Sequence, residues 1–376
     1  MPHPFHLSND QIKARVDRAS AIRSMIRDMQ WNPGWEFTAY HADALALIPS
    51  ANFGHVFQEA AHLGIVVDNR LTHISWAIRH FVLARHHDAT SLKARPSPAV
   101  GSAALKERDG FACVLTGAPD AEAVPILPLS WSRDAPAAAV TASVLRDLSL
   151  FGHEGGPDVV KHLSGLSQVG ETHHSWNMIS LDRRLAVLWQ RCLFGLEWVG
   201  STTAAAEGAD LVTVLLRFHW LQRETARPSR PVNDEALGEI MSQVCSSDNS
   251  SSLLSLKQPD GDTIALPSGM QIQSGHTLSI SMPVSEVTGF EAMIRLQWVL
   301  VCMGALSGAA KDADSNDGDG ESYDQWVGTA ARWLEDIPDL PERFDDGLGV
   351  REGGRVVVKR VGGLTLEGMS TVMSFD

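Results

Sequence analysis

The sequence predicts an α+β protein in three parts: a helical lobe over 1–100, a central module over 101–200 and a mixed α/β region over 201–376. Three observations support this division. Apolar residues recur every three or four positions in the first hundred residues, as on amphipathic helices. Short strand-like runs replace that spacing in the central module. Helical and strand-like patterns then alternate in the last part.

The helical lobe opens with an amphipathic helix that follows the capping candidates Ser8, Asn9 and Asp10 and ends before Pro33. Its apolar positions have three- and four-residue spacing: Ile12, Val16, Ala19, Ile22, Ile26 and Met29. Two further helices are predicted over 52–63 and 71–85, and the proline-rich segment 95–98 predicts a connector.

Two pairs of histidines in this lobe, His55 with His62 and His73 with His80, are each separated by seven positions. On a helix the members of such a pair share one face but lie about two turns apart. That distance is too large for both to bind one metal ion. We therefore expect solvated or hydrogen-bonded helix histidines.

The central module predicts short strands over 112–115 and 124–129, and the last part predicts buried helices and strands. Their order is helix 211–222, strand 263–266, strand 277–282, helix 290–306 and strand 355–361. Two stretches lack apolar residues for a core and predict mobile loops near 246–252 and 307–322.

Composition and charge limit the class of partner. The chain has 376 residues, 44% of them hydrophobic, and a formal net charge of −14, which repels phosphate backbones and anionic lipids at long range. The start of the chain has no signal-peptide pattern, and the most apolar run, 298–306, is too short to cross a membrane. We predict a cytoplasmic protein without nucleic-acid or membrane partners; its oligomeric state stays open.

Metal and cofactor motifs are not found in the sequence. Its four cysteines, Cys113, Cys192, Cys245 and Cys302, form no C-x-x-C pair, so we expect small buried apolar residues. We find no G-x-S-x-G elbow, phosphate-binding loop, H-E-x-x-H helix or clear dinucleotide fingerprint. No metal and no cofactor are therefore predicted.

Three segments of the central module resemble the fungal HNH nuclease-like domain, a ββα-metal fold. They are RDGFACVLTG at 108–117, EAVPILPLS at 122–130, and NMISL at 177–181 with Leu185, Leu188, Trp189 and Phe194 after it. The match covers roughly a quarter of the chain and is collinear. The resemblance implies a strand hairpin that leads into a helix.

The chain departs from this family at the positions that carry its chemistry. The family uses a histidine in the first strand to activate water, an asparagine to brace the loop and a histidine on the helix to hold a divalent metal. Here these positions are Pro125, Asn177 and Ala186. Proline has no side-chain base and alanine cannot ligate a metal, so we predict a degenerate module, a pseudo-nuclease without a metal centre.

A tryptophan-rich pocket is the predicted replacement for that centre. The chain has 11 Trp against 2 Tyr, and several Trp lie near the vacated positions. We predict His174 and Asn177 as catalytic hydrogen-bonding residues. The predicted substrate-binding residues are Trp131, His173, Trp176 and Trp189. The alternative for each Trp is simple packing of the module.

Two functions from different classes stay open at this point. Proteins resembling this module also occur in fungal natural-product biosynthesis. The resemblance therefore implies a cofactor-free cyclase, a pericyclase of the Diels-Alder type, or an isomerase acting on an apolar metabolite. The alternative is a non-catalytic pseudo-nuclease that binds a protein or nucleic acid. A deep apolar pocket beside Pro125, Asn177 and Ala186 would favour the enzyme, and a flat or charged surface would favour the binding protein.

Overall fold

The structure is a computed structural model with two small antiparallel sheets and a set of helices in its described part, which confirms the predicted α+β class. The described residues are 8–28, 36–48, 50–94, 102–119, 121–148, 162–203, 210–221, 228–245, 271–310, 313 and 322–336.

The helical lobe contains α1 (Asn9–Asp28), α2 (Ala39–Leu47) and α3 (Ser50–Ala94). Helix α1 buries its apolar face, as the spacing predicts. The two helices predicted over 52–63 and 71–85 are one continuous helix of 45 residues. The segment between them contains no proline, and a single interior glycine costs only about 1 kcal/mol, so nothing in the sequence interrupts the helix.

A strand pair and a helix form the centre of the module. After α4 (Ser102–Arg108), β1 (Glu122–Pro125) pairs antiparallel with β2 (Met178–Leu181), and Pro125 lies opposite Met178. Helix α5 (Ala135–Leu148) lies between them in the chain, and α6 (Arg183–Gln190) follows β2. The side chain of Asp182 caps α6 by accepting hydrogen bonds from the backbone N–H of Arg184 and Leu185, both at 3.0 Å.

The strand predicted over 112–115 is instead a turn. Ala112 makes only an isolated bridge to Pro119, and the Gly117 N–H donates to the Cys113 carbonyl at 2.8 Å, which closes the turn. The flanking Phe111 and Gly117 have positive φ angles, so the extended backbone does not continue on either side. The strand predicted over 124–129 ends at Pro125, and a 3₁₀ turn (Leu129–Ser132) follows it. Pro128 precedes this turn and cannot donate a ladder hydrogen bond, so the strand does not continue.

The last part contains a three-stranded antiparallel sheet in the order β3 (Phe194–Thr203), β4 (Leu211–Trp220) and β5 (Thr277–Pro283). Helix α7 (Asp234–Cys245) precedes β5, and the helices α8 (Val284–Leu306) and α9 (Tyr323–Asp336) follow it. The predicted strand 277–282 and helix 290–306 are confirmed. The predicted helix 211–222 is wrong, because this segment is the central strand β4.

Helix α8 covers the sheet. It is long and apolar enough to cross a membrane by length and composition, but 78% of its most apolar window is buried inside the protein. Its Trp298 and Val301 lie directly against Gly195 of β3. Buried residues from all three parts of the chain join one continuous apolar core.

Several sequence predictions fall outside the described residues: the connector 95–98, the loop 246–252 and the strands 263–266 and 355–361. Four residues at the beginning of the segment 307–322, predicted as a mobile loop, are buried in the structure. Ser307, Ala309, Ala310 and Ala313 are buried, because their small side chains pack into the core beyond the end of α8.

Candidate functional site

Asn177 braces the backbone between β1 and the 3₁₀ turn. Its Oδ1 accepts a hydrogen bond from the Leu127 N–H at 2.9 Å. Its Nδ2 donates to the carbonyls of Leu127 at 2.9 Å and Thr172 at 2.8 Å. The side chain is fully buried. The structure therefore gives Asn177 a bracing role in place of the predicted catalytic one, because its amide is committed to the backbone.

Trp131 and Trp189, predicted to contact substrate, pack in the core. Both are fully buried. The Trp131 ring stacks on the His80 ring at 5.0 Å between centroids, and its Nε1 donates to the His80 carbonyl at 3.4 Å. Trp189 Nε1 donates to the carbonyl of Pro125 at 3.0 Å. These contacts correspond to the packing alternative for both residues.

The other predicted substrate contacts lie at the surface. His173 and His174 are exposed and Trp176 is half-buried. The His174 ring stacks on Trp176 at 4.9 Å, and its Nε2 lies 3.4 Å from Glu171 Oε2. The six predicted site residues therefore do not line one pocket: Asn177, Trp131 and Trp189 are buried, and His173, His174 and Trp176 lie at the surface.

A narrow crevice lies beside Pro125, between α3, the end of β1 and α6. Its lining residues are Arg85, Asp88, Val124, Pro125, Pro128, Trp189 and Gln190. The free volume is about 10 Å³, which is room for roughly one water-sized group. Trp189 is the one predicted site residue of the six in this lining. A single functional group of a ligand can enter, and the rest of a metabolite must remain at the mouth.

Arg85 supplies the crevice with a buried guanidinium group. The side chain is 4% exposed and extends between two aromatic rings, with Cζ 4.9 Å from the centre of Phe81 and 4.8 Å from that of Trp189. Nη1 donates to the Cys192 sulfur at 3.7 Å. Nη2 is buried and has no hydrogen-bond partner in the described part of the chain. Burial lowers the pKa of Arg85 from its ordinary value.

Asp88 lies one helical turn after Arg85 on α3. Its Oδ2 accepts hydrogen bonds from the backbone N–H of Leu129 at 2.6 Å and of Ser130 at 3.4 Å. Burial raises the pKa of Asp88 to about 6, against these hydrogen bonds, which favour the ionised form. Asp88 therefore changes charge close to neutral pH, next to the crevice.

Buried polar side chains form hydrogen bonds that support the 3₁₀ turn on the side that faces the core. His80 Nε2 is 2.8 Å from Thr141 Oγ1, which itself donates to the Trp131 carbonyl, so the imidazole donates to Thr141. Burial lowers the pKa of His80 to about 3. The Tyr323 hydroxyl of α9 donates to the Ser130 carbonyl at 3.2 Å. The expectation of a hydrogen-bonded helix histidine is confirmed for His80.

Metal-ligating side chains are not clustered in the part of the chain that the structure describes: no three His, Cys, Asp or Glu residues there are positioned to hold an ion. Pro125 and Ala186, where the resemblance would place the base and the metal ligand, have no ligating side chain, and Ala186 is buried. Cys113, Cys192 and Cys302 are buried, as expected, and none of them forms a disulfide in the described part of the chain.

No family model, curated protein or solved structure matches this chain. Its function is therefore inferred from its residues and their geometry. The HNH resemblance stays a prediction.

Arg85 and Asp88 were not among the residues predicted from the sequence, although the sequence contains a signal for both. The buried face of α3 contains Ile74, Ile78 and Phe81, and the same spacing continues to Arg85 and Asp88. Charged residues on the buried face of a helix are uncommon unless they are paired or functional.

Proposed function

We propose that this chain is a metal-independent small-molecule enzyme of the cyclase or isomerase class, built on the HNH-like framework that the sequence resembles. The pairing of β1 with β2, the following α6 and the bracing contacts of Asn177 support this framework. The residue types at Pro125 and Ala186 support an activity that differs from metal-dependent hydrolysis.

The observation that carries the proposal is the buried Arg85 guanidinium in a crevice beside Pro125. Family members have their water-activating base at this position, whereas this chain presents a hydrogen-bond donor in a low-dielectric wall. A donor fixed in such a wall stabilises negative charge that develops on an oxygen atom far better than water does. Polarising a carbonyl in this way activates a conjugated double bond for cycloaddition or isomerisation.

The size and lining of the crevice fit one carbonyl oxygen on an otherwise apolar ligand. Val124, Pro125, Pro128 and Trp189 provide apolar walls, and Arg85 provides the donor. The ligand body then lies at the mouth, where Gln190 of α6 borders the opening. Holding a flexible ligand by one end restricts it to reactive conformers, which is the remaining requirement for a cofactor-free cyclase of the Diels-Alder type.

Binding of a nucleic acid by a non-catalytic pseudo-nuclease is the less favoured function. The net charge of −14 opposes a polyanion. Asp88 adds a carboxylate beside the crevice above pH 6, which also opposes a phosphodiester there.

The proposal is tested by searching for a mass-neutral conversion, because cyclisation and isomerisation leave the molecular formula unchanged. Deleting the gene in the organism that encodes it should make a precursor accumulate and a product of identical mass disappear. Purified protein in excess chelator should then convert that precursor into that product.

Two variants with the same charge change show where the conversion occurs. Arg85→Met should lower kcat at least about 10-fold, since it removes the donor that polarises the substrate. Arg184→Met, on the exposed side of α6, should leave kcat unchanged. Finding no mass-neutral pair, or a conversion that the chelator abolishes, would overturn the proposal.

A further inference from the structure

We infer that the crevice recognises a carboxylate group: one oxygen of a small organic acid enters it and accepts a hydrogen bond from Arg85 Nη2. This inference rests on the proposed function, because it names the substrate class of the same site. The substrate is then an apolar acid whose carboxylate anchors it, or whose conjugated carboxyl group is itself polarised.

The electrostatic state of Arg85 favours an anionic ligand. Its guanidinium is buried, and no carboxylate in the described part of the chain lies within ion-pair distance of it. Asp88 Oδ2, the nearest acidic group in sequence, already accepts hydrogen bonds from two backbone N–H groups. Asp88 attracts the guanidinium from beyond ion-pair distance, so an entering anion adds a direct contact with a buried charge that the described residues do not supply.

The small volume of the crevice favours a carboxylate over a phosphate. The free space admits one oxygen-sized group, and Nη2 is a buried guanidinium nitrogen without a hydrogen-bond partner in the described residues, whereas Nη1 donates to Cys192. A phosphate would bring three oxygens and up to two negative charges against one donor. Asp88 and the net charge of the chain oppose a dianion further. A singly charged, planar group with one oxygen inside fits these limits.

Asp88 makes this binding sensitive to pH. The charged and titratable groups around Asp88 are Arg85 on the same helix, Arg133 after the 3₁₀ turn and the Tyr323 hydroxyl on α9. Both arginines stay protonated and Tyr323 stays neutral between pH 5 and 8, because burial and its neighbours raise the pKa of Tyr323. Asp88 alone among these four groups loses its negative charge as the pH falls through about 6. Carboxylate affinity should therefore rise as the pH falls.

The experiment is a ligand-observed NMR titration of the full chain with benzoate, and with benzamide as the neutral compound of the same shape. Benzoate stays ionised throughout this pH range. Wild-type protein should bind benzoate at least about 10-fold more tightly than benzamide, since the hydrogen bond to benzoate involves two charged partners. Its affinity for benzoate should increase several-fold from pH 8 to pH 5.

Three variants locate the binding. Arg85→Met keeps an apolar stem between Phe81 and Trp189 and should remove the preference for benzoate over benzamide. Arg184→Met has the same charge change and should bind benzoate as the wild type does. Asp88→Asn should bind benzoate as tightly at pH 8 as the wild type does at pH 5. The response of Asp88→Asn keeps the test decisive if Arg85→Met does not fold.

Equal binding of benzoate and benzamide, benzoate binding that Arg85→Met leaves unchanged, or a flat pH profile would overturn the inference. Stronger binding of phenyl phosphate than of benzoate would overturn it as well. These outcomes are distinct from failure of the proposed function: a mass-neutral conversion without benzoate recognition would leave the enzyme in place and reject the carboxylate. Benzoate recognition without any mass-neutral conversion would reject the enzyme and leave the carboxylate inference in place.

Discussion

Buried polar side chains near the crevice fall into two groups according to their partners. The side-chain amide of Asn177 forms hydrogen bonds with backbone groups of Leu127 and Thr172, and these bonds fix the path of the chain after β1. Arg85 lacks a partner for Nη2 in the described region, and Asp88 is buried with a pKa raised to about 6. The first pattern belongs to structural residues, and the second is typical of sites that meet a ligand.

Replacing Asn177 by Ala should lower the free energy of unfolding by about 2–4 kcal/mol. The change leaves the Leu127 N–H and the carbonyls of Leu127 and Thr172 buried without partners. Urea unfolding of the variant and the wild type measures the difference. A loss below about 0.5 kcal/mol would contradict the bracing role.

Replacing Asp88 by Asn should change how stability depends on pH. The folded pKa of Asp88, about 6, is higher than its ordinary value of 3.8. Asp88 therefore favours the folded state most below about pH 4, and this contribution is lost as the pH rises through 6. Asparagine does not titrate. From pH 4 to pH 8 the variant should gain about 2–3 kcal/mol relative to the wild type.

Urea unfolding of both proteins at pH 4, 6 and 8 gives this difference directly. Histidines cancel in the comparison because both proteins contain them, including His80, whose lowered pKa destabilises the fold at acid pH. A constant difference across the three pH values would show that Asp88 titrates normally.

At the scale of elements, the spacing of apolar residues predicted several helices correctly. The prediction was wrong for the segment 211–222, whose sequence fits both a buried helix and a buried strand. The segment 211–222 is almost continuously apolar, so its length suggested a helix. Its residues Val212, Thr213 and Val214 are β-branched, and its burial alternates along β4. Pairing with β3 and β5 on both sides decides the structure, and such long-range contacts are not readable from a local pattern.

The location of the candidate site could be predicted from the sequence, but the residues that form it could not. The resemblance indicated Pro125, which lines the crevice, and Asn177, which braces the adjacent loop. Arg85 and Asp88 come from α3, far away in sequence, and only the packing of α3 against the module brings them there. The tryptophans were assigned to a pocket from their number, but Trp131 and Trp189 are used to fill the core.

Helix α8 packs so closely against β3 that the contact leaves no room for a methyl group at Gly195. A Cβ at Gly195 would lie 2.8 Å from Val301 Cγ1 and 2.9 Å from the Trp298 ring. Gly195→Ala should therefore lower the free energy of unfolding by about 1–3 kcal/mol through overpacking. Gly200→Ala, on the same strand with nothing within 4 Å, is the matched control and should change stability by less than about 0.5 kcal/mol. Equal effects of the two changes, in thermal or urea unfolding, would contradict this packing.

At the scale of the whole molecule, the helical lobe, the central module and the last part share one apolar core. The crevice depends on the packing of these parts against one another, because α3 supplies its charged residues while β1 and α6 supply its apolar walls. A small module of this kind, taken from its surroundings, would lack the guanidinium on which the proposed chemistry depends.

The whole chain should not cleave DNA in a metal-dependent way. Pro125 has no base to activate water, Ala186 has no ligand for a metal, and the net charge of −14 disfavours substrate binding. Plasmid nicking assays with Mg²⁺, Mn²⁺ and Zn²⁺ test this expectation. Cleavage that follows the protein through successive columns and disappears with a chelator would contradict it.

The most direct test of the proposed function is a crystal structure of the full chain bound to the product of its mass-neutral conversion. A product oxygen should lie about 2.7–3.2 Å from Arg85 Nη2 in the crevice beside Pro125. Anomalous scattering should show no metal ion between the product and the protein. A product bound away from Arg85, or a metal ion that bridges it to the chain, would contradict the proposal.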